Sequence, residues 1–120
     1  REWEIINALR RCAISKLDYK KILDVGCGSG GELRNFIRYG ARPENCSGID
    51  LLPERIETAK LISPNIDFRC GDASRLPFED GSIDIVIQFT VFTSILDTGM
   101  KRSIATEMLR LLKPDGIILW

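Results

Sequence analysis

Three carboxylates and a cluster of glycines are the residues whose types and spacing could support chemistry in this chain. A short apolar run that begins at Ile22 meets a carboxylate at Asp24, and four glycines then fall within residues 26–31. A helix-like pattern follows directly. Chains have this pattern where a buried strand turns sharply and brings bare backbone against a ligand. The stretch therefore predicts a binding site.

Polar residues also stand at the ends of the next apolar runs. Asp50 ends the second run, Asp72 follows the third, and Gln88 lies near the end of the fourth. If these runs are parallel strands, their carboxyl ends share the edge of the sheet where ligands bind. Carboxylates at the ends of three successive strands are hard to explain by packing, so we expect them to form one site with the glycine loop.

Strand-like and helix-like segments alternate along the chain and must position these residues. The predicted strands are residues 22–25, 46–49, 66–70, 83–89 and 117–120, and the predicted helices are residues 2–16, 32–39, 53–62 and a last helix capped by Asp97 or Thr98 and ended by Lys113–Gly116. Continuously apolar strands that alternate with helices are typical of a parallel sheet covered on both faces. We expect an α/β, doubly wound fold and one domain over residues 1–120.

The glycine loop alone fits two classes of ligand. Gly26, Gly28 and Gly31 satisfy G-x-G-x-x-G, the dinucleotide fingerprint, whereas Gly26, Gly28 and Gly30 satisfy G-x-G-x-G. Asp50 lies at a distance along the chain that suits a ribose-binding acid in either scheme. The loop by itself therefore leaves both ligand classes open.

Two carboxylates separate these interpretations. Asp24 stands two residues before Gly26, where its charge would repel a pyrophosphate and attract an ammonium or sulfonium group. Asp72, within Gly71–Ala73, offers an acceptor for an adenine amino group. Nothing else near the loop supplies a cation for a phosphate. The residues therefore favour a cationic ligand that carries adenosine.

With these residues, the chain resembles the Rossmann-like (class I) S-adenosylmethionine-dependent methyltransferases, and most of all their small-molecule type 11 group. The motifs follow the order of that family and cover Lys20 to Trp120. They are Ile22–Gly30, Gly48–Leu51, Gly71–Ala73, Leu76–Asp84 and Leu111–Gly116. The resemblance implies a Rossmann-like sheet with strand order 3-2-1-4-5, from which the family's C-terminal strands six and seven are absent.

The resemblance also implies roles for single residues at the methionine end of the cofactor. Asp24 and the loop backbone would hold the methionine moiety, and Gln88 and the Phe89 carbonyl would line the reacting end. The loop residues concerned are Gly26, Cys27, Gly28 and Gly30.

At the nucleoside end, the resemblance places Asp50 on the two ribose hydroxyls and Leu51 on the adenine face. Asp72 would accept a hydrogen bond from the adenine amino group, with the Ala73 amide beside it.

The activity that the resemblance implies is methyl transfer from S-adenosyl-L-methionine to a small-molecule acceptor of metabolite, sugar, lipid or quinone type, with S-adenosyl-L-homocysteine as product. The Asn/Asp-Pro-Pro-Tyr/Phe signature of amino methyltransferases is replaced here by Gln88-Phe89-Thr90-Val91. The chain has no histidine, and no residue is assigned as catalytic base. An NAD(P)-dependent oxidoreductase and a catalytically silent methyltransferase-fold binding module are the alternatives.

The amino-acid composition of the chain limits the kinds of partner that it can be expected to bind. Lys plus Arg and Asp plus Glu each number 17, and this balance does not favour nucleic acid. No apolar run approaches the roughly 20 residues of a membrane span. The four cysteines are irregularly spaced, so they do not predict a metal site. We interpret them as buried side chains of a protein in the reducing cytoplasm. A start at Arg1 and a stop inside an apolar run suggest a piece of a longer protein, and nothing indicates an oligomeric state.

Overall fold

In a computed structural model, which describes residues 2–11, 16–89 and 97–120, strands and helices alternate as the sequence predicts. The strands are β1 (Ile22–Val25), β2 (Cys46–Asp50), β3 (Asp67–Cys70), β4 (Ile83–Ile87) and β5 (Leu112–Leu119). The helices are α1 (Glu2–Arg11), α2 (Gly31–Arg38), α3 (Pro53–Ile62) and α4 (Thr98–Leu111), with a 3-10 turn at Pro43–Asn45. Cys12, Thr90 and Val91 lie outside the described residues.

The five strands form one parallel sheet in the order β3-β2-β1-β4-β5, which confirms the predicted order. β1 lies in the centre and pairs on one side with β2, where Ile22 faces Cys46, and on the other with β4, where Ile22 faces Ile85. The chain moves outward from β1 to β3 and then crosses back to β4. This reversal makes the carboxyl ends of β1 and β4 the topological switch point, where open parallel sheets bind ligands.

The central strands are apolar at successive positions because both faces of the sheet are covered. One core cluster joins Ile22 to buried residues of the helices on the first face, and a second joins Leu23 and Val25 to residues of α4. The helix residues of the first cluster are Ile5, Leu9, Leu33, Phe36, Ile56 and Ala59, and those of the second are Ile104, Met108 and Leu111. Full burial of one such side chain contributes about 1.5–3 kcal/mol.

The last strand begins earlier than predicted. β5 starts at Leu112, so Lys113–Gly116 belongs to a strand rather than to a turn that precedes one. The pairing register shifts here: Leu112 lies opposite Ile83, whereas Ile117 lies opposite Ile85. A bulge of this kind accommodates turn-forming residues, including a proline that cannot donate to a ladder, within a strand.

The other boundaries match the prediction or differ by one or two residues, except at the end of α1. The sequence predicts this helix to residue 16, whereas it is described as Glu2–Arg11 and residues 12–15 lie outside the described ones. β4 ends at Ile87 rather than at residue 89, although the Gln88 N–H still donates to the Leu119 carbonyl at 2.8 Å. Asp97 is the N-cap of α4, and its carboxylate accepts the Gly99 N–H at 2.9 Å. Within the described ranges, no helix has the length and apolar content required to span a membrane.

We expect replacement of Phe36 to reveal how strongly α2 depends on the first core cluster. The Phe36 side chain is fully buried and its ring lies 5.5 Å from the Tyr39 ring. Phe36→Ala should lower the free energy of unfolding by about 3–5 kcal/mol, since it removes a buried ring and leaves a cavity. Urea denaturation measures this change.

Leu61→Ala is the matched control, because Leu61 is 84% exposed on α3. It should change the free energy of unfolding by less than about 0.5 kcal/mol. Equal losses in the two variants would contradict the assignment of Phe36 to the core.

Candidate functional site

The glycine loop after β1 is attached to the neighbouring strand by its own backbone. The N–H groups of Gly26 and Cys27 both donate to the Ile49 carbonyl of β2, at 2.8 and 3.0 Å. The Gly30 N–H donates back to the Cys27 carbonyl at 3.0 Å, which closes a turn directly before α2. The loop therefore has a fixed shape at the carboxyl edge of β1 and β2.

Left-handed backbone explains why glycines occupy this loop. Gly26, Gly28 and Gly30 have φ angles of +77°, +56° and +92°. A Cβ atom at Gly30 would lie only 2.6 Å from Cζ of Phe68, so this glycine is required for close packing. At Gly28 the nearest atom to such a Cβ is a guanidinium nitrogen of Arg55 at 4.0 Å. The space beside Gly28 is thus open, so a ligand could approach the loop backbone there.

Asp50 connects this loop to the end of β2. Its Oδ2 accepts the Gly28 N–H at 2.8 Å, and its Oδ1 accepts the Leu52 N–H at 3.0 Å. The two hydrogen bonds fix the plane of the carboxylate at the sheet edge. Each carboxylate oxygen has a second lone pair, so Asp50 retains the capacity to accept two further donors such as a pair of vicinal hydroxyls.

The hydrogen-bond pattern of the loop has a consequence for the type of ligand. The N–H groups of Gly26, Cys27, Gly28 and Gly30 all donate to acceptors within the protein. A pyrophosphate bound to a glycine loop needs such N–H groups as donors, whereas an ammonium or sulfonium group needs acceptors and negative charge. Arg34 and Arg55 bring guanidinium groups to this loop, contrary to the expectation that nothing near it supplies a cation. The feature that favours a cationic ligand over a dinucleotide is therefore the buried Asp24.

Asp24 and Gln88 are the buried polar side chains of the described residues, at 4% and 3% exposure. They belong to the neighbouring strands β1 and β4, since Asp24 lies opposite Ile87 and Gln88 follows it. Burial of a carboxylate is costly without compensation. The sheet thus concentrates one charged and one amide side chain at the switch point, with the half-buried Phe89 next to Gln88.

Asp72 lies beyond the end of β3, beside Asp50. The Gly71 N–H donates to the Asp50 carbonyl at 3.0 Å, which brings the two segments together. Oδ1 of Asp72 accepts the Ser74 N–H at 2.9 Å, and this bond lowers the pKa of the carboxyl group. Asp72 is exposed and Ala73 is half-buried. Asp72 thus stabilises a turn and also presents a carboxylate next to the ribose-binding position that we predict for Asp50.

Leu51 and Cys27 have contrasting environments in the site. Leu51 is 67% exposed directly after Asp50, so its apolar side chain is available for contact with a ligand. Cys27 is buried, and burial, with the charges of Asp24 and Asp50, raises the pKa of its thiol to about 12. Its Sγ donates to the Gly28 carbonyl at 3.5 Å. Cys27 is therefore a packing residue whose thiol is not prepared for nucleophilic chemistry.

Sequence reasoning missed two arginines that hold the loops around the site. Nη1 of Arg34 in α2 donates to the Ser29 carbonyl at 2.9 Å and to Oγ of Ser63 at 3.3 Å. Arg110 of α4 donates to the backbone of the segment that follows Asp72. The pair Glu107 and Arg110, three residues apart on one helix, was the available signal, but the sequence does not show what such a pair contacts.

Comparison with known proteins agrees with this geometry. Residues 23–120 match the sequence model of a family described as a methyltransferase domain. The chain belongs to this methyltransferase domain family. The resemblance inferred from the five motifs is therefore confirmed.

Individual relatives give the extent of the similarity. The chain is 35% identical over 118 residues to phthiotriol/phenolphthiotriol dimycocerosates methyltransferase 1 of Mycobacterium ulcerans, a match that covers 96% of the chain and 42% of that protein. It is 36% identical over 102 residues to 2-methyl-6-phytyl-1,4-hydroquinone methyltransferase of Synechocystis, covering 82% of the chain and 30% of that protein.

A solved structure extends the similarity to the fold. A SAM-dependent methyltransferase from Methanosarcina mazei superimposes with a TM-score of 0.72 and 30% identity, covering 79% of the chain and 48% of that structure. The chain thus spans less than half the length of each of these three relatives.

Substitution of Gly30 should separate close packing from backbone strain. Gly30→Ala should destabilise the protein by about 1–3 kcal/mol more than Gly40→Ala, because its methyl group would overlap Phe68. Gly40 has a φ of +117° but nothing within 4 Å of the position that a Cβ would take, so Gly40→Ala adds backbone strain alone. Thermal and urea denaturation of the two variants provide the comparison. Equal losses of stability would show that the Phe68 side chain moves aside without a cost in free energy.

Thiol alkylation should distinguish the three described cysteines. Burial raises the pKa of Cys46 to about 11 and that of Cys27 to about 12, whereas Cys70 is exposed. Because the thiolate is the reactive form, we expect iodoacetamide at pH 8 to modify Cys70 at least tenfold faster than Cys27 or Cys46. Peptide mass spectrometry follows each site, and denaturing urea should equalise the rates. Rapid labelling of Cys27 in the folded protein would contradict its packed position.

Proposed function

We propose that this chain is the cofactor-binding part of a methyltransferase that uses S-adenosyl-L-methionine and transfers its methyl group to a small-molecule acceptor. The observation that carries the proposal is the position of Asp50, whose carboxylate is fixed at the sheet edge by the Gly28 and Leu52 N–H groups. We infer that residues 1–120 form one such domain.

At the nucleoside end, the residues present fit an adenosine group. Asp50 keeps acceptor capacity for both ribose hydroxyls, and each hydrogen bond to a carboxylate contributes about 1.5–3 kcal/mol. The exposed Leu51 offers an apolar surface for the adenine face. Asp72, whose pKa is lowered, remains ionised at neutral pH and is a suitable acceptor for the adenine amino group, with the Ala73 amide beside it.

At the methionine end, the proposal depends on Asp24 and the glycine loop. An opposite charge about 4 Å from Asp24 would gain about 4 kcal/mol at an effective dielectric constant near 20. The open space at Gly28, with the backbone of Gly26, Cys27 and Gly30, would accommodate the amino acid moiety. The N–H groups of Gly26, Cys27, Gly28 and Gly30 donate internally, so these four groups are not donors to a bound anion.

Methyl transfer requires mainly that the acceptor atom, the methyl group and the sulfur atom are aligned. The bound cofactor would supply a sulfonium methyl group with its leaving group already in place. The chain's part is to orient that group and exclude water, and such alignment can lower a barrier by about 7–11 kcal/mol. We infer that Gln88 and the Phe89 carbonyl, at the switch point, line the reacting end. We assign no catalytic base, and the sequence has no histidine that could serve as one.

A small-molecule acceptor is supported by the names of the relatives, which include a phenolphthiotriol and a phytyl-hydroquinone methyltransferase. The equal numbers of acidic and basic residues give no support to nucleic acid as a partner. A cytoplasmic location stays a prediction from the irregular cysteine spacing.

Nicotinamide-dependent oxidation is the competing activity, since Gly26, Gly28 and Gly31 satisfy the dinucleotide spacing. The buried Asp24 and the internally bonded loop weigh against it. A catalytically silent binding module would keep the same carboxylates and bind cofactor without turnover. A methyl-transfer assay with quinol and phenol acceptors separates that module from an enzyme.

Cofactor binding tests the role of Asp50. We expect calorimetry to detect S-adenosylhomocysteine binding to the chain, and Asp50→Ala to weaken it at least tenfold because both the ribose contacts and the loop anchor are lost. Glu57→Ala, an exposed carboxylate on α3, is the charge-matched control and should leave the affinity unchanged. Binding of NADH in place of S-adenosylhomocysteine would overturn the proposal, and unchanged affinity in folded Asp50→Ala would remove Asp50 from the site.

A further inference from the structure

The segment that joins β3 to β4 carries Asp72 and Ala73 and forms neither helix nor strand between Gly71 and Ser82. Within it, backbone hydrogen bonds connect Arg75 N–H to the Asp72 carbonyl at 3.1 Å and Phe78 N–H to the Leu76 carbonyl at 2.9 Å. Two such bonds do not define the conformation of a segment this long. Its shape must depend on contacts with other parts of the fold.

Arg110 of α4 supplies several of these contacts. Its guanidinium donates to the Leu76 carbonyl at 2.9 Å, to the Phe78 carbonyl at 3.0 Å and to Oδ1 of Asp80 at 2.6 Å. The Arg110 carbonyl in turn accepts the Gly81 N–H at 3.0 Å. One side chain and its own backbone therefore bind four positions of the segment.

Glu107 completes the arrangement. Its carboxylate accepts two hydrogen bonds from Arg110, at 2.7 and 3.2 Å, and a third from the Leu76 N–H at 2.9 Å. The Arg110 guanidinium, followed by the Leu76 N–H, lowers the pKa of the Glu107 carboxyl, so the pair is ionised at neutral pH. Both backbone polar groups of Leu76 are thus bound by the Glu107–Arg110 pair.

A second arginine holds the same segment from the opposite side. Arg69 of β3 donates to the Pro77 carbonyl at 3.0 Å, and its guanidinium carbon lies 4.7 Å from the centre of the Phe78 ring. Asp67 orients Arg69 through a 2.9 Å ion pair. Residues 76–78 are consequently bound between β3 and α4.

The bound residues lie close to Asp72. Leu76 is buried in the second core cluster, against which Ala73 also packs. At its other end the segment begins with the Gly71 N–H bonded to the Asp50 carbonyl. Asp72 and Ala73 therefore lie between two anchors, one on β2 and one on α4, and their position depends on both.

We propose that the Glu107–Arg110 pair is a positioning device that holds Asp72 and Ala73 in register with the adenine amino group of the cofactor. This inference rests on the proposed function and adds residues that contact no cofactor themselves. Its specific consequence is selectivity: loss of the pair should weaken recognition of the adenine edge more than recognition of the ribose or of the methionine moiety.

The test compares two ligands that differ at that edge. In S-inosylhomocysteine, a carbonyl group stands in place of the adenine amino group of S-adenosylhomocysteine. A carbonyl has no hydrogen to donate, so it cannot form this hydrogen bond with the Asp72 carboxylate. We expect the unmodified chain to prefer S-adenosylhomocysteine at least tenfold in calorimetry. Arg110→Ala should reduce this preference at least fivefold. Arg110→Lys should do the same, because a single ammonium cannot reach both carbonyls and Glu107 in the same geometry.

Two further variants separate positioning from general loss of stability. Ile104→Val removes a buried methylene group on the same helix and should lower the melting temperature while the ligand preference stays unchanged. Glu107→Gln retains an acceptor for the Leu76 N–H, and we expect it to fold even if Arg110→Ala fails to fold. It should reduce the preference by a smaller factor than Arg110→Ala or Arg110→Lys.

The outcomes are distinguishable. If the unmodified chain binds neither ligand, the proposed function fails and this inference falls with it. If it prefers S-adenosylhomocysteine and the folded Arg110 and Glu107 variants keep that preference, the proposed function stands and the positioning role is wrong. Equal loss of preference in Ile104→Val would likewise show that stability, and not the pair, controls adenine recognition.

Discussion

The hydrogen bond between the Gly28 N–H and Oδ2 of Asp50 holds together the parts of the structure on which the candidate site depends. It joins the loop after β1 to the end of β2 at 2.8 Å. The same carboxylate accepts the Leu52 N–H at the start of α3, so one side chain sets the direction in which the chain leaves β2. A charged acceptor with two bonded N–H groups is stronger and better oriented than a neutral one. The site is therefore preformed by the fold.

This contact is possible because the sheet is parallel and reverses direction beside β1. In such a sheet the carboxyl ends of β1, β2, β3 and β4 lie along one edge. The two core clusters consist of apolar side chains, and the buried polar residues of the described part of the chain, Asp24 and Gln88, lie toward the carboxyl ends of β1 and β4. The two-sided core and the polar edge are thus consequences of the same topology.

Local patterns are sufficient to predict most elements of this fold. β1 and α3 begin and end at the predicted residues, because an apolar run before glycines and a proline in a first helical turn act within a few positions. The sequence pattern predicts too late a start for β5, since Lys113–Gly116 has the composition of a turn and only its pairing with β4 makes it part of a strand. That pairing is a long-range property.

The candidate site likewise contains residues that the sequence predicts and residues that it does not. The positions of Asp24, Asp50 and Asp72 at strand ends follow from sequence, whereas the residues that hold the loops do not. Arg110 and Glu107 contact residues about thirty positions earlier in the chain, at Leu76, Phe78 and Asp80. A Glu and an Arg three residues apart on a helix indicate only a pair that stabilises that helix. The partners of such a pair become visible when the strands are paired and α4 packs on the sheet.

Burial of the three carboxylates decreases along the proposed cofactor, and this gradient assigns them different physical tasks. Asp24 is almost fully buried, Asp50 is half-buried and Asp72 is exposed. Because charge interactions strengthen as water is excluded, the deep carboxylate can select a cation by charge alone. An exposed carboxylate is screened by water and selects mainly by the geometry of its hydrogen bonds. The outer end of the site therefore needs rigid support from its segment, whereas the inner end derives its preference from burial.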